Sequence, residues 1–330
     1  MKQLPLVSII SVHFNEPEAT EKMLASTRLS GYTNLEVLVV DNGSTKGDLQ
    51  PVVNKYPEVT FFKSNENLGF AGGNNLALPY AKGEVIFFLN NDALLHPDTI
   101  STMVDFLNNT PDAGLISPLI CYPPINTAKR DLIQFAGTSK VSPWTGRNKT
   151  FGHKTLDFGQ FDHPRVIPYV HGAAMMIKKE LIAKYGSLDE TYFLYYEELD
   201  WSERLNKTGF NNYLVPAARG YHHESLSTGV DSPLKVFFLN RSRMLFMDKH
   251  QNGIASLMFL LFYHLVVLPK GLFLYFIKGR LSQAKSLFKA VFSFWNYKFN
   301  HKKEKSFKNI SLTPLLPSSN PTIQFNSKLK

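Results

Sequence analysis

Short apolar runs alternate with stretches of helical spacing along roughly the first 120 residues. Four of the runs are rich in β-branched and aromatic residues and are typical of buried strands, at residues 6–14, 35–44, 59–65 and 83–90. Residues 18–31, between the first two runs, have helical spacing and end at Gly31. Buried strands separated by helices are characteristic of a mainly parallel sheet that helices cover on both faces. The pattern therefore predicts an α/β fold.

Polar residues follow directly on three of these predicted strands. Asn15 follows the first strand, Asp41 ends the second, and an Asn-Asn-Asp triplet at 90–92 follows the fourth. Ligands bind at the carboxyl ends of the strands in sheets of this kind. The sequence therefore predicts a ligand site at this edge. The triplet is also good turn chemistry ahead of a helix start, so by itself it leaves a plain turn open.

The rest of the chain is organised differently. Residues 121–168 are rich in proline, glycine, threonine and aromatic residues, which predicts long loops with short strands. A strand and a helix follow over 166–186, a helix over 197–209 and a strand over 213–223. We divide the chain into a main domain at residues 1–230, a helical segment at 231–300 and a loose polar tail at 301–330.

The formal net charge of +9 belongs to the C-terminal part of the chain. From residue 231 onward there are 16 lysines and arginines against 3 acidic residues, whereas the first 230 residues carry 20 against 24. No nucleic-acid recognition motif accompanies the basic residues, so we expect no nucleic-acid partner.

Residues 253–280 are the most hydrophobic part of the chain. The unbroken apolar run within them is shorter than the ~20 residues that a spanning helix needs. Basic residues at 278, 280, 285 and 289 alternate with leucines and phenylalanines, which predicts an amphipathic helix or hairpin on anionic lipid. A helix that packs on the main domain is the alternative.

The chain has a single cysteine, Cys121, which excludes a disulfide within one chain and favours a reducing compartment. The first apolar run is too short for a signal peptide and fits a first strand better. We therefore expect a cytoplasmic protein that lies peripherally on the cytoplasmic membrane.

Five segments occur in a fixed order along the chain: SIISVHFNE, LEVLVVDNGSTKGD, NENLGFAGGNN, FFLNNDALL and YFLYYEELDWSERL. Together they resemble family 2 glycosyltransferases of the GT-A (Rossmann-like) fold, in particular the rhamnosyltransferase-like branch. The resemblance covers residues 5 to 250, approximately. It implies that one sugar moves from a nucleotide-sugar, dTDP-rhamnose or a UDP-hexose, to a hydroxyl of a glycan acceptor with inversion, in cell-surface polysaccharide synthesis.

The resemblance assigns a metal ion, Mg²⁺ or Mn²⁺, to Asp92. A divalent cation that bridges the donor diphosphate neutralises the charge that develops on the leaving group. Asn90 stands where relatives have the first carboxylate of Asp-x-Asp and would face the ribose or sugar. His222 lies five residues before Ser227, a spacing found in the family, and would complete the metal site, with His223 as the alternative.

A catalytic base is expected in the segment around residues 192–201. An inverting transfer needs one carboxylate to take the proton of the acceptor hydroxyl. Relatives carry Glu-Asp here and use the second carboxylate, which corresponds to Glu198 in the pair Glu197-Glu198. Asp200 and Glu197 stay open as alternatives. An acidic first turn that the helix dipole favours would also explain these residues.

Asp41 could accept a hydrogen bond from the imide N–H of uracil or thymine, or it could simply form a turn. The residues that we expect at the nucleotide and donor sugar are Phe14, Asn15, Glu16, Asp41, Asn67, Gly69, Asn74, Asn90, Asn91, His171 and Gly172.

The acceptor follows from the resemblance and from the basic C-terminal segment. A glycan or lipid-linked glycan at the inner face of the cytoplasmic membrane fits both, and residues 121–168 would face it. The Gln-x-x-Arg-Trp motif of processive relatives is absent, which favours a single addition. Because Glu198 departs from the family pattern, a non-catalytic nucleotide-sugar-binding protein of the same fold is the alternative.

Overall fold

The computed structural model of the chain describes residues 4–124, 130–223 and 232–300, together with the backbone of residues 313–315. Ser227, which supports the choice of His222, and most of the predicted tail lie outside the described residues.

Twelve strands of the described chain join one sheet. They are β1 (Val7–His13), β2 (Leu35–Asn42), β3 (Thr60–Ser64), β4 (Val85–Leu89), β5 (Ala93–Leu95), β6 (Ala113–Cys121), β7 (Leu132–Phe135), β8 (Thr155–Leu156), β9 (Arg165–Ile167), β10 (Ala174–Lys178), β11 (Asn211–His222) and β12 (Thr313–Leu315).

Ten α-helices accompany the strands within the same described residues. They are α1 (Pro17–Arg28), α2 (Gln50–Lys55), α3 (Gly69–Ala77), α4 (Thr99–Asn109), α5 (Lys179–Tyr185), α6 (Glu197–Asn206), α7 (Pro233–His250), α8 (Gly253–Phe262), α9 (Leu268–Ile277) and α10 (Leu281–Asn300). A short 3₁₀ turn (Leu78–Tyr80) follows α3, and a π-helical segment (Tyr263–Val267) connects α8 to α9.

The four N-terminal strands form the parallel part of the sheet, in the order β3-β2-β1-β4. Strand β1 is central there because Val7 pairs with Leu35 on one side and with Val85 on the other. Val7, Ile9 and Ile10 are fully buried, as expected of a strand with helices on both faces. The predicted α/β fold with its four buried strands is confirmed.

The second part of the sheet continues as β10-β6-β11-β5 and mixes strand directions. Strand β10 is antiparallel to both β4 and β6, whereas β6 and β11 are parallel. The predicted strand over 213–223 is β11, which curls over to pair with β5 and places His222 opposite Ala93. This pairing carries the end of β11 back to the carboxyl end of β4.

Residues 130–157, within the predicted loop-rich region, form a hairpin that is held by backbone hydrogen bonds. The Ala136 N–H donates to the Phe151 carbonyl at 3.0 Å, and the Phe151 N–H donates to the Gly137 carbonyl at 2.8 Å. Further along, the Ser139 N–H donates to the Lys149 carbonyl at 2.9 Å. The hairpin therefore combines turns with the short strands β7 and β8, in keeping with the long loops and short strands that the sequence predicts here.

Helix α7 joins the C-terminal helices to the main domain. The Ser242 hydroxyl donates to the Leu194 carbonyl at 3.0 Å, and Met244, Phe246, Phe259 and Phe294 share one buried apolar cluster with Tyr192. Helix α10 packs against α7 and α9. The predicted boundary at residue 230 thus lies just before a helix that packs on the main domain.

One helical run in the described chain, Gly253–Ile277, is long and apolar enough by composition to cross a membrane, with a mean hydropathy of 1.9. In the sequence the unbroken apolar run ends before Pro269 and is too short to span a membrane. The helix continues because the π-helical segment precedes Pro269, whose missing N–H and ring are accommodated at the first turn of α9. Only 11% of the most apolar stretch of this run is buried.

Asp200 connects α6 to α7 through a buried ion cluster. Its carboxylate accepts hydrogen bonds from His250 Nε2 at 2.7 Å and Arg204 Nε at 2.8 Å, and it lies 2.8 Å from Lys249 Nζ. Burial raises the pKa of Asp200, but the hydrogen bonds and the positive charges outweigh burial and lower the pKa to about 2. This carboxylate therefore stabilises the fold in its ionised form.

Replacing Asp200 with asparagine should lower the free energy of unfolding at pH 7 by about 2 kcal/mol. Because the folded-state pKa lies below the unfolded value, the contribution is complete above about pH 4 and disappears as the pH falls towards 2. Urea unfolding followed by circular dichroism at pH 7 and pH 3 measures the difference. The exposed Asp105→Asn variant is the control, and equal stability of the two variants would contradict the assignment.

Candidate active site

A cavity of about 410 Å³ opens where β1, β2 and β4 end. The predicted site residues that line it are Phe14, Asn67, Gly69, Asn90, Asn91, Asp92, His171, Gly172, Glu197, Glu198 and His222. The predicted site residues that do not line it are Asn15, Glu16, Asp41, Asn74 and Asp200. The structure therefore brings the ends of three parallel strands, the start of α6 and the end of β11 around one space.

Asp92 and His222 face each other in this cavity, and both are largely buried. The Oδ1 atom of Asp92 lies 3.2 Å from Nε2 of His222, and no hydrogen bond to Oδ1 forms among the described residues. His223, the alternative, is exposed and only donates its backbone N–H to the Asp92 carbonyl at 3.1 Å. The geometry therefore favours His222 over His223 as the partner of Asp92.

Gln134 sets the orientation of the His222 ring. Its Oε1 atom lies 2.8 Å from His222 Nδ1, and its Nε2 atom donates to the His222 carbonyl at 3.5 Å. Since only the amide N–H₂ can donate to a carbonyl, Oε1 is the atom that faces the ring, and Nδ1 is the donor. The Nε2 atom of a neutral His222 therefore points its lone pair at the Asp92 carboxylate.

A divalent cation fits between these two atoms. Asp92 Oδ1 and His222 Nε2 lie 3.2 Å apart, and no hydrogen bond joins them. Two adjacent ligands of an octahedral Mg²⁺, each about 2.1 Å from the metal, lie about 3 Å apart, which is close to the observed separation. No cluster of three or more His, Cys, Asp or Glu residues in the described part of the chain could hold a metal. The protein thus offers two ligands, and other oxygens must supply the rest.

The turn before α6 directs two carboxylates into the cavity. Tyr195 and Tyr196 both have left-handed backbones, with φ of 67° and 74°, which is uncommon and costly for tyrosine. The Tyr196 hydroxyl anchors the turn by donating to the Gly146 carbonyl at 2.9 Å. Glu197 and Glu198 follow as the first residues of the helix and both line the cavity.

Burial changes the protonation of this carboxylate pair. It raises the pKa of Glu198 to about 7, although backbone N–H groups at the helix start oppose the rise. Burial, together with the neighbouring charge of Glu198, raises the pKa of Glu197 well above its ordinary value. Oε2 of Glu197 is buried and has no hydrogen-bond partner among the described residues. At neutral pH the pair therefore holds a proton on Glu197, and Glu198 can exchange one.

His171 forms an aromatic wall beside His222. Its ring meets Phe135 and His222 edge to face, with centroids 5.0 Å and 5.6 Å away. Burial, with a smaller contribution from the nearby His222, lowers the pKa of His171 to about 3. Its Nδ1 atom accepts the Ala173 N–H at 3.1 Å. His171 is therefore neutral and presents an N–H at Nε2.

Asn15 and Asp41 shape the loop beyond β2. Asn15 has a left-handed backbone, and its Oδ1 accepts the N–H groups of Thr45 and Lys46 at 2.8 and 2.9 Å. Oδ1 of Asp41 accepts the Ser44 N–H at 2.9 Å, so the turn that the sequence allows for Asp41 is present. The proposed contact of Asp41 with a base stays a prediction.

Asn42 organises the glycine-containing loop that follows β3, a role that the sequence did not assign. Its Nδ2 atom donates to Asn67 Oδ1 at 3.1 Å and to the Gly69 carbonyl at 3.0 Å, and its Oδ1 accepts the Leu68 N–H. Gly69 has φ of 73°, and a Cβ there would lie 2.1 Å from the Phe193 carbonyl oxygen. The loop is therefore packed tightly on the turn before α6.

Asn74 lies in the first turns of α3 and donates to the Phe70 carbonyl at 2.9 Å within its own helix. Glu16 precedes α1 and does not line the cavity. The cavity residues that the sequence did not identify include Gln134, Thr150, His153, Phe193, Leu234 and Lys235. They come from the hairpin, the turn before α6 and the first turn of α7, where no short motif marks them.

Comparisons with known proteins agree with this arrangement. The family model described as "Glycosyl transferase family 2" matches residues 8–186. The chain is 27% identical over 266 residues to the "N-acetylglucosaminyl-diphospho-decaprenol L-rhamnosyltransferase" of Mycobacterium tuberculosis (strain CDC 1551 / Oshkosh), covering 75% of this chain and 86% of that protein.

Two further similarities extend the picture. The chain is 25% identical over 250 residues to the "Low-salt glycan biosynthesis hexosyltransferase Agl10" of Haloferax volcanii, covering 72% of this chain and 74% of the relative. Among solved structures, a mannosyltransferase from Pyrobaculum calidifontis in complex with GDP-Man and Mn²⁺ superposes with a TM-score of 0.57 at 18% identity, covering 89% of this chain and 88% of that one. This last similarity shows that the two chains share the GT-A fold.

Replacing Gln134 with leucine should weaken Mn²⁺ binding about 10- to 100-fold, because His222 loses the acceptor that keeps its proton on Nδ1. Asp92→Asn should weaken it at least as much. Electron paramagnetic resonance of Mn²⁺ titrations with inorganic pyrophosphate, a source of the remaining oxygen ligands, gives the affinities. Gln160→Leu, an exposed glutamine of the same region, is the control. If Gln134→Leu behaves like that control, the assigned role of Gln134 is wrong.

Proposed function

The chain belongs to glycosyl transferase family 2 and is a glycosyltransferase. We propose that it transfers one sugar, with inversion, from a nucleotide-sugar to a hydroxyl of a lipid-linked glycan. One observation carries the proposal: a carboxylate pair with raised pKa values shares a cavity with a carboxylate–imidazole pair that fits a metal.

Glu198 is the proposed catalytic base. Its pKa of about 7 lets it exist as a carboxylate at neutral pH and accept the proton of an attacking hydroxyl. Glu197, which stays protonated beside it, limits the negative charge at this end of the cavity. Asp200 is not proposed as the base because it lies outside the cavity and is already paired with Lys249, Arg204 and His250.

Asp92 and His222 would hold Mg²⁺ or Mn²⁺, and Gln134 keeps His222 in the tautomer that such an ion requires. When bound, the ion supplies positive charge to the diphosphate of the donor. Asn90 offers a further contact, since its buried Oδ1 has no hydrogen-bond partner among the described residues. That oxygen suits a donor hydroxyl of the ribose or the sugar, as the resemblance implies.

The donor is proposed to be dTDP-rhamnose or a UDP-hexose. The names of the two relatives, a rhamnosyltransferase and a hexosyltransferase, support these two sugar classes. The rhamnosyltransferase is named for a decaprenol diphosphate acceptor, which supports a lipid-linked glycan for this chain. The wider role would be in cell-surface polysaccharide synthesis.

The C-terminal helices support a position on the inner face of the cytoplasmic membrane. Large apolar side chains on these helices are exposed: Ile254, Leu257, Met258, Leu261, Leu265, Val266, Phe273, Leu274, Phe276, Ile277, Leu281, Phe288, Phe292 and Phe299. An apolar surface of this extent on a soluble chain marks an interaction site. Exposed cations such as Lys278, Lys285 and Lys289 accompany it, and no acidic residue occurs between Asp248 and Glu304. This combination is complementary to anionic lipid.

Replacing Glu198 with glutamine should reduce turnover by about 10²- to 10⁴-fold while donor affinity stays unchanged, because only the proton acceptor is removed. In the unchanged protein, kcat/KM should rise with pH and level off above about 7 as Glu198 ionises. Initial rates of nucleotide release between pH 5 and 9 would test both results, with exposed Glu180→Gln as the control. Turnover of Glu198→Gln at the control rate would refute the assignment.

Replacing Phe273 and Phe276 together with aspartate should reduce binding to anionic vesicles more than tenfold, because two exposed apolar side chains leave the membrane interface. Co-sedimentation with vesicles of phosphatidylcholine, with and without phosphatidylglycerol, measures the partition. Leu29→Asp, at an exposed leucine that directly follows α1, is the matched control. Unchanged sedimentation of the double variant would exclude this surface.

A further inference from the structure

An open groove of about 440 Å³ lies along the hairpin, next to the main cavity. Its lining consists of Lys149, Thr150, Phe151, Gly152, His153, Thr155, Phe161 and Arg165. Thr150 and His153 line both the groove and the main cavity, so one space leads into the other. A molecule in the groove could therefore extend one end towards the catalytic carboxylates.

The groove is positively charged and has no carboxylate in its lining. Lys149 is exposed, and neither Lys149 nor Arg165 forms an ion pair with another described residue. The Arg165 guanidinium lies 4.7 Å over the Phe161 ring, and its Nε is buried without a hydrogen-bond acceptor in the described chain. Because Nε itself is covered, an anionic ligand in the groove would pair with the part of Arg165 that lines it.

The two cations lie on rigid supports. Lys149 and Phe151 belong to the backbone ladder of the hairpin, through hydrogen bonds of 2.8 to 3.0 Å. Arg165 begins β9, which pairs with β11, the strand that ends at His222. Both cations are therefore fixed relative to the metal-binding end of the cavity. Phe151 and Phe161 add aromatic surface between them, of the kind that packs against the apolar face of a sugar ring.

We propose that this groove is the acceptor site, in which Lys149 and Arg165 bind a diphosphate that carries the acceptor sugar. The sugar would lie on the aromatic surface and point its hydroxyl past Thr150 and His153 towards Glu198. The inference rests on the proposed function, which requires an acceptor, and it narrows the acceptor-facing region predicted at residues 121–168 to this groove. Lys149 and Arg165 then determine which acceptors bind, whereas the donor depends on the other end of the cavity.

Binding of farnesyl diphosphate in the presence of EDTA tests the proposal without the donor metal. Isothermal titration of the full chain should show binding of farnesyl diphosphate and much weaker binding of farnesol, which shares the lipid but lacks the charge. Lys149→Gln and Arg165→Gln should each weaken farnesyl diphosphate at least tenfold. Lys140→Gln, at an exposed lysine of the same hairpin outside the groove, should have no effect.

Three outcomes would overturn the groove as a diphosphate site. The first is equal affinity for farnesyl diphosphate and farnesol. The second is an equal loss of farnesyl diphosphate affinity in Lys140→Gln and Lys149→Gln. The third is tighter binding of methyl glucuronide than of farnesyl diphosphate, which would indicate a carboxylate-bearing sugar. Arg165→Lys, which keeps the charge, should recover part of the affinity, so a folding defect in Arg165→Gln is recognisable. Nucleotide-sugar binding with Mn²⁺ should be unchanged in all these variants. Its absence in the unchanged protein would refute the proposed function instead.

Discussion

The cost of burying charge governs this active site. Two carboxylates at the start of α6 and a carboxylate that faces an imidazole lone pair are held in one cavity. Water no longer solvates them fully, so each group must change its protonation or find an opposite charge. Glu197 and Glu198 respond by raised pKa values, whereas Asp92 and His222 would share a cation under the proposed function. The same cost is met differently at Asp200, where hydrogen bonds from His250, Lys249 and Arg204, and the charge of Lys249, keep the carboxylate ionised.

The sheet holds these groups together. Parallel strands β1, β2 and β4 end at the same edge, and the pairing of β11 with β5 returns His222 to that edge beside Asp92. Left-handed residues then turn the chain into α6, and the packing of Gly69 against Phe193 fixes the loop from β3 onto this turn. Donor, metal and base positions thus depend on one continuous set of backbone contacts rather than on independent loops.

The parallel strands and the residues at their ends could be predicted because buried apolar runs and the polar groups that follow them are local in sequence. Asp92 was predicted in this way, at the end of the fourth strand, whereas the choices of Glu198 and His222 came only from the resemblance. Gln134 and Asn42 act through hydrogen bonds to residues that are distant in sequence. No local sequence pattern predicts such hydrogen bonds. The sequence could not distinguish Asp200 from Glu197 and Glu198, because all three are acidic residues of the first turn of α6. In the structure only Glu197 and Glu198 line the cavity, whereas Asp200 pairs with Lys249.

The central claim is that Asp92 and His222 bind the cation that holds a donor diphosphate in the cavity that also contains Glu198. A crystal structure with Mn²⁺ and a nucleoside diphosphate, with anomalous scattering recorded at the manganese edge, tests this most directly. The account predicts one strong manganese peak in contact with Asp92, His222 and phosphate oxygens. A nucleotide bound in the cavity with manganese at neither residue, or with manganese elsewhere on the chain, would contradict it.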